Sequence, residues 1–342
     1  MENDIQSRLL DFYKKRVNED IEIPVFAKIS DGWENEVYSF MTEYEEGGGR
    51  KRDDLILRIY PGDGARQKAL REFSGMKKLH ELRFPVPEVF TLEMDDSPFG
   101  KPFVIMEKIN GRSMGQIFDE SPDEKRRDLI TLFCRMLVNL HNLDWRQFVP
   151  DPSVYETGGP YRFINQFLLK AQEYIDRFQR TDFVPVLDWL KERRSDVPCD
   201  RLSVIHLDYH PYNILMQEDG KPFVIDWTNI DIADFRLDLA WTVLLMSGYG
   251  NPEAREIVLN EYQRIAGRRI EQMEYFDVMA SLRRLFSISV SISDGADKLG
   301  MRPEAVAMMK QNVSHIKNVY SVLYDRTGVA IPEIESLIKR SA

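Results

Sequence analysis

Apolar and polar positions alternate through most of the first hundred residues, the period of half-buried strands. VYSFMTEYEE and DLILRIYPG flank the glycine-rich GGGRKRD, a pattern that predicts an antiparallel hairpin. The period then changes. In ARQKALREFSGMKKLHEL, Ala69, Phe73, Met76 and Leu79 recur at spacings of three and four, which predicts a helix. PVPEVFTLEM and FVIMEKI read as two further strands around the turn DDSPFGKP. Together these segments predict a small sheet of about five strands, with one helix against it and another before it.

Beyond EKINGRS the helical period takes over. SPDEKRRDLITLFCRMLVNLHNL offers Ser121, Pro122 and Glu124 as a capping box, ahead of one apolar face made by Leu129, Leu132, Phe133, Met136, Leu137 and Leu140. Further helices are predicted over 161–178, 183–194, 237–247, 252–265, 270–292 and 302–323. One stretch interrupts them. ILM and FVI read as short apolar strands joined by QEDGKP, whose Asp219-Gly220 pair marks a hairpin. The division predicts an α+β chain with a sheet-rich lobe over 1–108 and a helical lobe over 109–342, and a small-molecule site where they join.

Charge narrows the function classes. With 46 Lys and Arg against 56 Asp and Glu, the net charge of −10 argues against a general nucleic-acid binder. The clusters KRR at 125–127 and KERR at 191–194 read as solvated helix faces. Cys134 and Cys199 lack redox or metal-ligand spacing, and Cys134 falls in an apolar helical pattern. The N-terminal MENDIQSRLLDFYKKR has no apolar core of the kind that makes a signal peptide, and no apolar run is long enough to span a bilayer. A cytoplasmic location without membrane contact is the expectation.

The candidate chemistry lies in VIHLDYHPYNILMQEDGKPFVIDW, residues 204–227, where polar groups punctuate an apolar run. Asn213 precedes the first strand of the hairpin and Asp226 ends the second, so the fold of the hairpin can bring both to one rim. An amide oxygen and a carboxylate are hard ligands of the kind Mg²⁺ accepts. Asp208, five residues before Asn213, is spaced to take the proton of an attacking hydroxyl. Hydrogen-bonded turn acids would explain any one of the three; all three on one apolar hairpin are harder to dismiss. His206 and His210 have helical spacing, but Pro211 argues against a helix carrying them as zinc ligands. His141, at the end of an apolar helix, reads as a structural histidine, and His80 as a surface one.

HLDYHPYNIL followed by FVIDW resembles the catalytic loop and metal-binding segment of the aminoglycoside phosphotransferase and choline kinase family, and the resemblance runs from about Ile29 to about Ser247. It implies a two-lobed protein-kinase-like fold and an ATP- and Mg²⁺-dependent transfer to a small-molecule hydroxyl, with GTP as the alternative donor. It implies Asp208 as catalytic base, Asn213 and Asp226 as metal ligands, His206 as the brace of the loop, and Asp238 in LDLAW as the acid that holds the loop. ISDGWENEVYSF resembles the nucleotide-covering loop, with Gly32 and Asn35. Arg58 in LILRIY stands where the family has a phosphate-pairing lysine, and Glu72 in LREF where it has the helical partner. Met106, Glu107, Lys108 and Ile109 resemble the strand that enters the hinge beside the adenine. The family's Gly-Asp-Pro is replaced by IADFRLDLA, which puts the local turn in doubt. The acceptor implied is an aminoglycoside, another amino-sugar or an amino alcohol, with Asp231, Asp234 and the acids near 265–275 as receivers of its ammonium groups or as plain surface. The rival readings are a weak or inactive nucleotide-binding module, a protein kinase and a metal-dependent hydrolase. Oligomeric state stays open between monomer and homodimer.

Overall fold

In the computed structural model, which describes residues 2–340 except 18, 31–34, 63, 96, 158, 200, 250–252 and 302, the contacts fall into two units. The first comprises Met1–Ser113 with Ile214–Asn229, and the second Met114–Asn213 with Ile230–Ala342. The strands in chain order are β1 (Glu22–Ser30), β2 (Glu36–Glu46), β3 (Gly49–Ile59), β4 (Val89–Glu93), β5 (Phe103–Glu107), β6 (Arg112–Ser113), β7 (Leu202–Ile205), β8 (Ile214–Met216), β9 (Pro222–Val224) and β10 (Asp231–Asp234). Among the described residues no helix is long and apolar enough to cross a membrane.

The first unit is built on a five-stranded antiparallel sheet, ordered β1-β2-β3-β5-β4. Period-two alternation decides its faces. Leu55, Leu57 and Ile59 of β3 join Phe40, Phe103 and Ile105 in an apolar cluster closed by Ile5, Leu9 and Phe12 of α1 (Glu2–Arg16). Arg58 has the opposite parity, and its guanidinium meets Glu72 of α2 (Ala65–Glu81). The β2–β3 reversal is tighter than the sequence reading. Only Gly47 and Gly48 form the turn, both at positive φ as two-residue hairpin loops require, so Arg50 to Asp53 belong to β3. The face of α2 also differs: Glu72 is fully buried, whereas Phe73 is only half-buried.

The predicted hairpin is present, with Ile214 opposite Val224, and β6 adds a third strand to it. Gly111 makes that pairing possible, because a Cβ there would sit 2.4 Å from the Met216 carbonyl oxygen. The contacts of 214–229 thus group this hairpin with the sheet-bearing unit.

The second unit is helical: α3 (Met114–Glu120), α4 (Asp123–His141), α5 (Ser153–Thr157), α6 (Arg162–Phe178), α7 (Val184–Arg193), α8 (Phe235–Tyr249), α9 (Ala254–Ala266), α10 (Met273–Ser293), α11 (Glu304–Gln311), α12 (Val313–Thr327) and α13 (Pro332–Arg340). β7 and β10 form a two-stranded antiparallel ribbon among them. The capping box predicted at Ser121 is not formed. The Ser121 hydroxyl donates to the Ile117 carbonyl 2.6 Å away, at the end of α3, and Pro122 occupies the cap position without a side-chain bond. A helix ending immediately upstream offered that hydroxyl a closer acceptor. The helix predicted over 302–323 is two helices, broken at Asn312, whose φ of −105° and ψ of 52° leave the helical region. Cys134 is core as expected, and burial pushes its thiol up to about 12.

His315 of α12 joins this packing as a neutral acceptor, its Nε2 receiving Arg284 Nε at 2.8 Å. Burial, then the charge of Arg284, lowers its pKa from 6.5 to about 3. The unfolded chain therefore binds a proton at His315 between pH 6.5 and 3 that the folded chain does not, so stability is lost as pH falls through that window. Replacement by a non-titrating acceptor, His315→Gln, is expected to flatten the pH dependence of urea unfolding between pH 7 and 4, by about 1.4 kcal/mol per pH unit at its steepest. Equal slopes for the two proteins would refute that account. Gly111→Ala is expected to lower unfolding free energy by about 1–3 kcal/mol, since the backbone oxygen it meets cannot rotate away.

Candidate active site

Residues 206–213 leave the end of β7, and β10 runs back beside it into α8. That return places Asp238 in the first turn of α8, where an acid also favours the helix dipole. Its carboxylate is fully buried and accepts the backbone N–H groups of His206 and Leu207, both at 2.8 Å, and faces His141 Nε2 at 3.2 Å. Burial pushes this carboxyl up, but the His141 bond, the charges of His141 and His206 and the His206 N–H outweigh it and hold the pKa below the usual carboxylate value. The clamp fixes Leu207 at φ 61°, a left-handed conformation that costs a leucine roughly 1–2 kcal/mol. His141 is the structural histidine the sequence suggested, held by Tyr262 as well as Asp238.

The turn at Leu207 presents Asp208. Its Oδ1 accepts Trp241 Nε1 at 3.3 Å and its Oδ2 faces Asn213 Nδ2 at 3.4 Å, while the side chain keeps 32% of its surface exposed. Asn213 Nδ2 also donates to the Asp208 carbonyl at 3.0 Å, and His206 Nδ1 accepts the Asp208 N–H at 3.2 Å. His210 Nε2 lies 3.8 Å from Asp208 Oδ2. The second unit thus gathers Asp208, Asn213, His206 and Asp238 in one short loop and its support.

The first unit gathers the other predicted polar residues. Arg58 pairs with Glu72 and, at 2.8 Å, with Asp226 Oδ1. Asp226 stands at φ 66°, two residues after β9. Thr228 Oγ1 donates at 2.9 Å to Asp226 Oδ1 and lies 3.3 Å from Glu72 Oε2, and the Tyr60 hydroxyl donates to that same oxygen. Burial and the neighbouring Glu72 raise the Tyr60 pKa well above its ordinary value, so the phenol stays protonated as a donor. Asp226 and Glu72 both raise the Arg58 pKa against its burial, and the guanidinium stays charged.

Other predicted residues are less informative. Gly32 lies outside the described residues, while Asn35 is buried. Met106 and Ile109 are buried, and the N–H groups of Glu107 and Lys108 already donate to Glu88 and Asp54 carbonyls. A base edge at this strand would be met by groups other than those two. Asp234 is buried in a two-bond pair with Arg236, and Asp231 Oδ1 accepts the Ile232 N–H, so neither is presented simply as a receiver of ammonium.

Sequence reasoning missed Trp241, Arg283, Thr228 and Tyr60. Trp241 lies three residues after Asp238 and so shares its helix face, a signal that was available in LDLAW. Arg283 lies in α10, far along the chain, with its guanidinium 4.1 Å from the Trp241 ring centroid and Nη1 3.4 Å from the Leu207 carbonyl. No local pattern announces such a contact.

An amide oxygen and a carboxylate are each of the kind that a hard cation such as Mg²⁺ accepts. Asn213 commits its Nδ2 to the loop, leaving Oδ1 as its other polar atom, and Asp226 is a carboxylate with 37% of its side chain exposed. Among the described residues there is no cluster of three or more His, Cys, Asp and Glu side chains that could hold a metal.

Comparison with known proteins agrees with the fold. A candidate aminoglycoside phosphotransferase from Ralstonia eutropha has a similar structure, with a TM-score of 0.62 and 16% identity over 98% of this chain and 97% of that one. The choline/ethanolamine kinase family protein from Mesorhizobium loti gives 0.58 and 15% over 94% and 99%, and aminoglycoside phosphotransferase APH(4)-Ia gives 0.55 and 15% over the whole of both chains. In sequence, the chain is 26% identical over 226 residues to the probable acyl-CoA dehydrogenase IBR3 of Arabidopsis thaliana, covering 60% of this chain and 26% of that protein. The chain therefore spans about a quarter of the length of that curated relative. The profile of the phosphotransferase enzyme family matches residues 25–274, well over half of the chain, and the chain belongs to that family.

Proposed function

We propose that this phosphotransferase moves the terminal phosphoryl group of ATP, with Mg²⁺, to a hydroxyl of a small molecule. The observation that carries the reading is the Asp208 carboxylate, held through Trp241 and Asn213 on a loop clamped by a buried acid and still open to solvent. Such a group can orient a hydroxyl and take its proton while the new oxygen–phosphorus bond forms and the bond from the γ-phosphorus to the bridging oxygen breaks, releasing ADP. In this reading Asn213 and Asp226 would be the residues that hold the metal, which would neutralise charge on the phosphates. Arg58, aligned by Glu72, meets phosphate oxygens with a planar fork rather than the point charge of a lysine. Gly32, Asn35 and Met106 to Ile109 border the nucleotide in this reading, and His206 and Asp238 act through the loop.

Nucleotide and acceptor do not follow from the fold. Structures of similar fold include a GDP and kanamycin complex of APH(2")-IIIa and an AMP-PNP and hygromycin B complex of an APH(4)-Ia mutant. These and the choline/ethanolamine kinase family protein carry different acceptor names on one architecture. GTP remains the alternative donor, and an aminoglycoside or amino alcohol is one class of acceptor to test.

Asp208→Ala is expected to cut turnover by about 10²–10⁴-fold while calorimetry still records nucleotide binding. Unchanged turnover of the true acceptor would remove Asp208 from the role of base. Glu72→Ala takes from the buried Arg58 guanidinium one of its two carboxylate partners and from the Tyr60 hydroxyl the acceptor it uses. It should lower unfolding free energy by about 3 kcal/mol and raise the KM for ATP; a loss of stability without a change in KM would make Arg58 structural only.

A further inference from the structure

The clamp at Asp238 fixes the backbone that carries Asp208, but it leaves rotation about χ1 and χ2 of that side chain open. The polar groups that meet the carboxylate are of two origins. Asn213 Nδ2 and His210 Nε2, 3.4 and 3.8 Å from Oδ2, belong to the same short loop and are placed by the same backbone. Asn213 also gives its nearer contact, 3.0 Å, to the Asp208 carbonyl. Trp241 Nε1, which donates to Oδ1 at 3.3 Å, comes instead from α8. It stands three residues after Asp238, about 4.5 Å further along the helix axis and on the same face. The helix that holds the loop thus also holds the end of its carboxylate.

Packing alone accounts poorly for the choice of residue. The indole is buried, and the Arg283 guanidinium lies 4.1 Å from its centre, so the ring has little freedom to turn. Phenylalanine would fill most of that place without a donor. Tryptophan adds an N–H that, once buried, needs an acceptor, and the acceptor it meets is the carboxylate that keeps 32% of its side-chain surface exposed. The contact is long for a donor on a charged group, so it acts through direction more than through strength. Direction matters here because a carboxylate must lie within hydrogen-bond reach of the hydroxyl proton that it takes.

We infer that Trp241 is a positioning residue: its indole N–H selects the Asp208 rotamer that faces the incoming hydroxyl, while Trp241 itself touches neither nucleotide nor acceptor. The inference rests on the phosphotransferase reading for the hydroxyl, but the fixed direction of the carboxylate can be measured without turnover.

The test uses the full chain and two variants, Trp241→Phe and Trp241→benzothienylalanine, the second keeping a bicyclic ring of the same shape and lacking the N–H. Three-bond couplings from the Asp208 Cγ to its backbone N and carbonyl carbon report χ1. They are expected to show one rotamer in the parent chain and averaging in both variants. The indole N–H resonance of Trp241, identified by its loss in Trp241→Phe, should shift in Asp208→Asn. With Mg²⁺ and ATP, kanamycin, hygromycin B, choline and ethanolamine are offered as acceptors. For any that is phosphorylated, kcat should fall about 10- to 100-fold in both variants, with the KM for ATP and for the acceptor changed by no more than about twofold. A single rotamer that survives in both variants, or an indole resonance indifferent to Asp208→Asn, would overturn the inference. So would a kcat that falls in Trp241→Phe and is unchanged in the benzothienylalanine variant, which would make the role one of packing. Should the rotamer be freed in both variants while none of the alcohols is phosphorylated, the positioning stands and the phosphotransferase reading is the one overturned.

Discussion

Two backbone N–H groups and a buried carboxylate hold the loop around which the second unit is arranged. Without Asp238, the N–H groups of His206 and Leu207 would lose their acceptor inside a helical core, and the left-handed Leu207 would lose what offsets its strain. The acid can stay ionised there only because two N–H donors and His141 approach it, and because it sits in the first turn of a helix. Trp241 follows one turn later on the same helix, so a single rigid element sets both the shape of the loop and the direction of the Asp208 side chain. Mutating either would therefore disturb the Asp208 carboxylate without removing it, which separates positioning from chemistry.

The first unit applies the same logic to the opposite sign. Arg58 is shared between a fully buried Glu72 and a partly exposed Asp226, and Thr228 lies close enough to tie the two acids together. Two carboxylates beside one guanidinium leave this cluster with a formal excess of negative charge. A cation arriving at Asp226 would relieve that excess, and a guanidinium that cannot lose its proton stays in place to meet an anion. An arginine at this point is therefore not a neutral exchange for a lysine: its fork can contact Glu72 and Asp226 together, as a single ammonium does less readily.

Much of this was legible in the linear pattern, and the failures have identifiable physical causes. Alternation in β3 placed Arg58 on the face away from Leu55 and Leu57, and the Asp219-Gly220 turn fixed the β8–β9 hairpin, because both signals are local. Spacing on the hairpin related Asp208 to Asn213, whereas the parts of His206 and Asp238 were legible only through resemblance, since no spacing rule relates residue 206 to residue 238. Ser121 misled because its hydroxyl has two possible acceptors and the end of α3 lies nearer. The apolar period of α2 counts Phe73, whereas the polar cluster beside the helix takes Glu72 inward. Arg283 was beyond reach: it is defined by packing between elements that are neighbours only in the fold.

Net charge is a poor guide to the sign of a site, and this chain illustrates why. An excess of acids, 56 against 46 basic residues, favours cations only on average and does not say where the acids lie. Yet several buried and half-buried acids of the second unit are bound to arginines, in the pairs Asp234–Arg236 and Asp277–Arg255 and in the Glu261–Arg264 contact nearer the surface. Pairing makes these charges locally neutral, so they contribute little field beyond their neighbours. The field an acceptor meets is then set by the few groups that face it. Beside the loop of Asp208 a guanidinium rests on the indole that orients the carboxylate, and the local sign can oppose the sign of the whole molecule.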